Sequence, residues 1–305
     1  MEKQRLTLFI ILAALILFGS QYLLQKLYPP PPKTNTEQVA QSPSPAPTVN
    51  NPSSPTSSPL PSVPLQQVEL REVAIKTPYW YAKLSNHGAV ISEWTMTHSP
   101  NGNPVDPPDG VNLISAQKSK EIGAPLRLLI PSDRNLEKEL NSAHFAFAEV
   151  SEPSIELKSD EKKTIQFTYV NGAGIAASKT LIFSGAGYDF DLKVDVRRNG
   201  QPIETSVVIG PSFGDQGLKE YGYYKPAPQV SYSASGAVEH NTGADVTTAE
   251  PFPIKHTNVL WAAVDDNYFA MAIVPFSPAQ TANILNLKRK EKVGEKEVEH
   301  NYVSI

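Results

Sequence analysis

The sequence predicts an all-β protein whose main domain, residues 67–305, is an antiparallel sandwich. Between residues 188 and 196 apolar and charged side chains alternate without a break, which is the period of a strand with one buried face. Similar runs lie along the whole domain, and turn sequences such as Asn171-Gly172 and Asn199-Gly200 separate many of them. More than ten short strands in about 240 residues are typical of an antiparallel sandwich rather than a parallel α/β sheet.

The predicted strands are rich in β-branched and aromatic residues and are bounded by glycine, asparagine, aspartate or serine. No repeat of fixed period links the runs, and the one helical candidate is short, around residues 135–140. Besides residues 188–196, the predicted strands cover residues 79–84, 90–96, 143–150, 165–170, 180–183, 205–209, 258–264, 268–274, 283–287 and 297–305.

Residues 1–28 are predicted to be a transmembrane signal-anchor that precedes the β domain. No residue from Leu6 to Leu24 is charged, and nineteen helical residues span about 28 Å, close to the thickness of the bilayer's hydrocarbon core. A cleaved signal peptide is the alternative, but no small-x-small cleavage site follows and apolar residues continue to Leu24. The residues expected to anchor the chain in lipid are Leu6, Phe9, Ile10, Leu12, Leu15, Leu17 and Leu24.

The orientation of this anchor rests on weak charge asymmetry. Lys3 and Arg5 precede the span, whereas Lys26 and Lys33 follow it, so the positive-inside rule gives nearly a tie. The N-terminal tail is short and everything downstream is typical of an exported domain. We therefore expect the N-terminus in the cytoplasm and residues 67–305 on the opposite side of the membrane.

Residues 29–66 are predicted to be a disordered linker. Twelve of the chain's 28 prolines lie between Pro29 and Pro64, among Ser, Thr, Asn and Gln residues. Such a segment buries too little apolar surface to offset the entropy lost on ordering. Its prolines favour extended polyproline II stretches, so the linker is interpreted as a spacer between membrane and domain.

Composition excludes several classes of protein. The formal net charge is −4, so the chain has no basic footprint for binding nucleic acid. The sequence contains no cysteine, which excludes disulfides, thiolate metal sites, a cysteine nucleophile and a lipoprotein anchor.

No residue pattern predicts a catalytic, cofactor or metal site, and the chain is interpreted as a non-enzyme. The six histidines never show the H-x-x-x-H spacing, and no G-x-S-x-G elbow occurs. Asp189, Asp191 and Asp195 are interpreted as the solvated face of a strand. An EF-hand loop would need an oxygen ligand and a glycine where Lys193 and Val194 stand.

The segment 219–232 is rich in tyrosine and low in charge. Tyr221, Tyr223 and Tyr224 form a candidate partner-binding surface, because exposed tyrosines make contacts at modest entropic cost. The same side chains can instead pack a long loop onto the sandwich, and the sequence leaves both interpretations open.

Near the end of the domain, residues 261–275 read Trp-Ala-Ala-Val-Asp-Asp-Asn-Tyr-Phe-Ala-Met-Ala-Ile-Val-Pro. With the N-terminal anchor, the linker and the large β domain, this segment resembles the YidC family of membrane protein insertases. Residues 82–91, with a glycine turn at Gly88, are similar to the family's first hairpin. We expect Gly88 to adopt a positive φ, and Trp261, Tyr268, Phe269 and Pro275 to build the core edge of the final hairpins.

The resemblance implies both a fold and a function. The family's periplasmic domain is a β-supersandwich similar to galactose-mutarotase-like folds and is not known as an enzyme. The family inserts and chaperones membrane proteins in the bacterial inner membrane, alone or with the Sec translocon. The implied partners are the lipid bilayer, nascent membrane proteins and Sec components, and no cofactor is implied.

The resemblance also implies that the insertion groove lies in a helical core that follows the periplasmic domain. Because the chain ends at Ile305, we expect it to be the N-terminal portion of such an insertase, and no residue of the insertion site can be assigned in it.

Two alternatives stay open at this stage. A membrane-tethered carbohydrate-binding or mutarotase-like module could use the same architecture, and an epimerase would need a histidine and a carboxylate converging in one cleft. A tethered adaptor without insertase relatives is the other possibility.

Overall fold

The computed structural model describes residues 68–106, 108–214, 228–246, 251–253, 258–266, 268–279, 281–293 and 296–305. The predicted anchor 1–28 and linker 29–66 lie outside the described residues, as do Tyr221, Tyr223 and Tyr224. Within the described part of the chain, no helix is both long and apolar enough to span a bilayer.

The described residues form mostly strands, so the all-β prediction is confirmed, and only two short helices occur among them. In chain order the elements are β1 (Glu72–Lys76), β2 (Trp80–Ser85), β3 (Val90–Met96), β4 (Val111–Ile114), α1 (Ala116–Ile122), β5 (Arg127–Leu129), α2 (Arg134–Ser142), β6 (Ala146–Ala148), β7 (Ser154–Glu156), β8 (Lys162–Val170), β9 (Ile175–Ser184), β10 (Phe190–Arg198), β11 (Gln201–Pro202), β12 (Ser206–Val208), β13 (Gln229–Ala234), β14 (Ala237–Thr242), β15 (Phe252–Pro253), β16 (Val259–Asp265), β17 (Ala270–Ile273), β18 (Asn283–Val293) and β19 (Lys296–Ser304).

Two five-stranded sheets make up the N-terminal part of the domain. The first sheet has the order β4-β3-β2-β1-β7 and the second has the order β11-β10-β9-β8-β6. Neighbouring strands in these sheets run antiparallel, as predicted, with one exception: β1 and β7 pair in parallel, with Ala74 opposite Ser154.

A large aromatic core lies between the first and second sheets. Trp80 of β2 is fully buried and stacks on Trp94 of β3, with ring centroids 4.2 Å apart. Its ring also contacts Phe183 of β9 at 5.7 Å, and its indole Nε1 donates to the carbonyl oxygen of Gly187 at 2.7 Å. Aromatic side chains from both sheets therefore contribute to the contact between the two layers.

Both helices begin at side-chain caps that their sequences supply. Asp133 accepts hydrogen bonds from the backbone N–H groups of Asn135 and Leu136 and starts α2, where the sequence predicted a helix. Ser115 caps α1, which the sequence analysis missed. The signal was weak because α1 has only seven residues and buries only Ser119 and Ile122.

The C-terminal part of the domain contains a third and a fourth sheet. The third sheet has the order β14-β13-β16-β17, and the fourth has the order β15-β18-β19. The last residue, Ile305, exchanges two backbone hydrogen bonds with Ile209, at 2.9 and 3.2 Å. Ile209 directly follows β12, and β12 pairs with β5. The bridge therefore joins the end of the chain to the β5–β12 pair.

Most predicted strands coincide with observed ones, and β3 has the predicted bounds of residues 90–96. The prediction for residues 143–150 is too long, because only Ala146–Ala148 form a strand there. Strand β13 was not predicted, because Ser231 and Ser233 occupy its alternate positions and weaken the apolar pattern.

Candidate interaction surface

One face of the third sheet packs against the core, and the other is covered along β13 but exposed along its edge strands β14 and β17. On β13, Val230 and Tyr232 are buried in the core, as is Val264 of β16. Residues directly opposite each other in antiparallel strands share a face. Ser231 lies opposite His240 and Ala263, and Ala263 lies opposite Ala272, so these residues belong to the other side, called the outer face below.

A polar cluster occupies the outer face near the start of β13. Ser231 is 5 % exposed; its hydroxyl oxygen lies 2.7 Å from His240 Nδ1, and the hydroxyl donates to Asp265 Oδ2. Gln229 Nε2 donates to the other oxygen of the same carboxylate at 2.7 Å. A serine has one proton to give, so the contact with His240 requires the imidazole to donate from Nδ1.

This connectivity differs from that of a serine nucleophile. In such a site the imidazole accepts the serine proton and a carboxylate orients the imidazole. Here the carboxylate accepts the serine proton directly, and Ser231 joins it to His240. The cluster therefore ties β13 to β14 and β16, with Ser231 as the residue that contacts both neighbouring strands.

On the covered face, Tyr232 of β13 donates from its hydroxyl to Glu239 Oε2 of β14 at 2.7 Å. Burial, together with this hydrogen bond, raises the pKa of Tyr232 to about 12. Each face of the sheet therefore has one side-chain hydrogen bond between β13 and β14. These two bonds support the register from which the outer face is defined.

The connection from β16 to β17 is a turn closed by an aspartate. Asp266 Oδ1 accepts from the backbone N–H groups of Tyr268 and Phe269, both at 3.0 Å. Its own N–H donates to the carbonyl oxygen of Phe269 at 3.0 Å. Aspartate is suited to this position because its short side chain bonds the backbone two and three residues ahead.

Strand β17 is an edge of the third sheet, and exposed apolar side chains lie along it. Ala270 and Ala272 are exposed, whereas the alternate Met271 and Ile273 pack against the core. Beyond the ends of the strand, the exposed fractions of the side chains are 64 % for Tyr268, 73 % for Val274 and 92 % for Phe276. These three residues are called the β17 margin below.

The outer face continues the apolar surface away from the margin. Val238 of β14 is 53 % exposed and Trp261 of β16 is half-buried. Val238 and Trp261 both lie opposite Ser233 in the register. Exposed apolar groups gathered in one region of a surface are characteristic of a site that binds a protein or membrane partner.

Comparison with known proteins supports the family resemblance that residues 261–275 suggested. Residues 72–305 match a family model described as the YidC periplasmic domain. The chain belongs to the YidC family. The match covers every strand described above, from β1 to β19, so the third sheet is part of the family domain.

Curated relatives give the same result at low identity. The membrane protein insertase YidC of Syntrophus aciditrophicus is 23 % identical over 302 residues, which is 92 % of this chain and 52 % of the relative. YidC of Geotalea daltonii is 24 % identical over 314 residues, covering 100 % of this chain and 54 % of the relative. The chain thus spans about half the length of the YidC proteins that it matches.

The YidC motif residues occupy different environments. Phe269 packs against the core as expected, whereas Trp261 and Pro275 are only half-buried. The prediction that Tyr268 lies at the core edge is wrong, because its side chain is mostly exposed. Exposed and half-buried residues alternate from Tyr268 through β17, so Tyr268 lies on the exposed side with Ala270, whereas its neighbour Phe269 lies on the core side with Met271.

Gly88 adopts a φ of +73° in the turn between β2 and β3. A Cβ atom at this position would lie 2.7 Å from the carbonyl oxygen of Asn141, so both the backbone conformation and the space favour glycine. The turn therefore packs directly against the end of α2.

Two other histidines of the domain contact each other through their rings. His87 and His144 lie edge to face, with ring centroids 5.6 Å apart, and His144 Nδ1 contacts the carbonyl oxygen of Val68 at 2.8 Å. Burial and the neighbouring His144 lower the pKa of His87. Across the described residues, no group of three or more His, Cys, Asp or Glu side chains is arranged to hold a metal ion.

Sequence reasoning missed Ser231, Val274 and Phe276. The polar cluster joins strands whose contacting residues are up to 36 positions apart, and no local pattern reports such a contact. For Phe276 a signal existed, because it follows Pro275 at the end of an alternating strand, where a buried aromatic residue is not required.

Proposed function

We propose that the chain is the N-terminal portion of a YidC-type membrane protein insertase. In this proposal residues 1–28 anchor the protein in the inner membrane, residues 29–66 form a spacer, and residues 67–305 form a β-supersandwich in the periplasm. The match of residues 72–305 to the YidC periplasmic domain carries the proposal. The relatives that support it are themselves named membrane protein insertases.

The role proposed for the β domain is to hold partners beside the membrane. Its partners are nascent membrane proteins and, as a second class, components of the Sec translocon. A nascent membrane protein exposes apolar segments before they reach lipid, and the outer face and β17 margin offer apolar side chains at the surface. The proposal assigns no covalent chemistry to this domain.

The anchor and spacer make such a role physically reasonable. Nineteen uncharged residues can hold the chain in the bilayer, and a proline-rich spacer at up to about 3.1 Å per residue can carry the domain tens of ångströms outward. A surface tethered in this way meets membrane proteins at a high effective concentration, so a weak apolar contact suffices.

Reading the gene beyond the codon for Ile305 is the first test. The proposal expects an in-frame continuation that encodes five further hydrophobic spans. A stop codon at that point would contradict insertion by this chain alone and would favour a tethered binding module.

The second test is an insertion assay with the complete gene product in proteoliposomes. We expect protease protection of a newly made single-span membrane protein to require the gene product. The control is the same protein carrying two charged substitutions in the anchor, Leu12→Arg and Leu15→Arg. Equal protection in empty liposomes would refute the insertase proposal.

A further inference from the structure

A lysine lies in the middle of the otherwise apolar inward face of β9. Alternate residues of this strand point into the core: Ile175, Ala177, Lys179, Leu181 and Phe183 are all buried. Lys179 is 1 % exposed and is among the largest side chains that the domain buries completely. A lysine in this position is unusual, because burying an ammonium group without compensation is costly.

The compensation comes from backbone carbonyl groups. Lys179 Nζ donates to the carbonyl oxygens of Gly88 at 2.7 Å, Ala89 at 3.0 Å and Leu126 at 2.6 Å. The ring of Phe145 lies 5.8 Å from the same nitrogen, within the range of a cation–π contact. An ammonium group has three hydrogens, so three carbonyl acceptors match its donors one for one.

The three residues that supply these carbonyls share an uncommon backbone conformation. The φ angles are +73° for Gly88, +51° for Ala89 and +71° for Leu126. Residues with a side chain seldom adopt positive φ, and such conformations persist only where the surroundings hold them. Two separate turns of the chain therefore take up unfavourable conformations at the same ammonium group.

Charged neighbours do not explain the position of Lys179. Burial alone lowers the pKa of its ammonium group to about 7, and no carboxylate of the described residues contributes to that shift. Two turns and an aromatic ring surround the nitrogen. The turns accept its hydrogens through carbonyl oxygens, and these groups do not include a carboxylate that would form an ion pair.

We propose that the carbonyl oxygens of Gly88, Ala89 and Leu126 form an internal site for a primary ammonium ion, which Lys179 fills with its own side chain. The site holds the first hairpin turn and the Leu126 turn against β9. Its specificity is for the N–H groups of a primary amine, because carbonyl oxygens only accept hydrogen bonds. When the lysine side chain is shortened, a free primary alkylammonium ion of matching length can occupy the site.

Chemical rescue tests this proposal. In the full chain carrying Lys179→Ala, the missing atoms are three carbons and the nitrogen, which n-propylammonium reproduces. At pH 6 we expect n-propylammonium chloride to raise the unfolding midpoint of K179A by several degrees, by mass action on the folded state. Tetramethylammonium chloride at equal concentration has no N–H donors, and it should leave the midpoint unchanged.

The wild-type protein is the matched control for the rescue. Its site is already filled, so n-propylammonium should not raise its unfolding midpoint. An equal effect of the two ions on K179A, or an equal effect of n-propylammonium on both proteins, would overturn the proposal.

A measurement on the wild-type chain keeps the proposal testable if K179A does not fold. With ¹⁵N-labelled lysine at pH 6, we expect one ammonium resonance whose hydrogens exchange far more slowly than those of surface lysines. That resonance should be absent from a Lys179→Met variant. If every lysine ammonium group in the wild type exchanges at the surface rate, the site does not exist.

Discussion

Two tryptophans of this domain occupy opposite environments although both lie on regular strands. Trp80 on β2 is fully buried, stacks on Trp94 and donates its indole hydrogen to a carbonyl group. Trp261 on β16 is half-buried on the outer face of the third sheet. The difference arises because the second sheet covers the face that carries Trp80, whereas the outer face near Trp261 retains exposed apolar neighbours such as Val238.

The comparison teaches that a strand pattern identifies the two faces of a sheet without saying which of them becomes covered. An apolar face that packs against another sheet contributes to stability. An apolar face that stays at the surface contributes little to stability and is free to bind a partner.

The largest expected effect is on the covered face. Replacing Trp80 by alanine should lower the free energy of unfolding by about 3–5 kcal/mol, since it removes a fully buried aromatic side chain and leaves a cavity. Denaturant unfolding followed by tryptophan fluorescence and circular dichroism measures this loss. A loss below about 1 kcal/mol would contradict the packing of the two sheets.

The next largest effect is the pH dependence of stability that arises from the buried Lys179. Burial lowers the pKa of Lys179 to about 7 in the folded chain, whereas an unfolded lysine titrates near 10.5. Between these values the unfolded chain holds a proton that the folded chain has released. Stability should therefore rise with pH, on the order of 1 kcal/mol per pH unit.

Unfolding titrations between pH 7.5 and 9.5 measure this slope in the full chain, with Lys179→Met as the matched variant. Tyr169 and Tyr232 titrate near 10 when unfolded and at about 12 when folded, and because both proteins carry these tyrosines their contribution cancels in the comparison. The variant should lose the slope contributed by Lys179. Identical slopes in the two proteins would mean that Lys179 titrates normally.

A smaller effect is expected at the half-buried tryptophan. Replacing Trp261 by alanine should lower the free energy of unfolding by about 1–2 kcal/mol, because the side chain removes only part of its apolar area from water. The same denaturant unfolding used for Trp80→Ala gives a direct comparison. If the two losses are equal, the outer face is as well covered as the interior.

The smallest expected effect on stability is at the β17 margin. Phe276 is 92 % exposed, so Phe276→Ser should change the free energy of unfolding by less than about 0.5 kcal/mol. Partner binding, in contrast, should weaken. A large loss of stability would show that Phe276 packs within the domain and is not available to a partner.

Much of the fold could be predicted because alternation is a local property. The bounds of β3 were predicted correctly, and α2 coincides with the one helical candidate around residues 135–140. Strand β13 was missed because serines stand at Ser231 and Ser233 where an apolar pattern would mark a strand, and the hydrogen bonds that Ser231 makes come from neighbouring strands.

The sites were harder to predict than the strands because their residues come together only in the folded chain. Lys179 did carry a local signal, since it interrupts an apolar series at an inward position of β9. The carbonyl groups that accept its hydrogens belong to turns 53 or more residues away, and no sequence pattern reports them.

Site-specific photo-crosslinking tests most directly whether the β17 margin binds partners. A photoreactive amino acid at position 276 is compared with the same group at position 193, an exposed site on β10 of the second sheet. During synthesis of a membrane protein in membrane vesicles that contain the complete gene product, we expect crosslinks to the nascent chain from position 276 and few from position 193. Equal yields at the two positions would contradict a partner-binding role for the β17 margin.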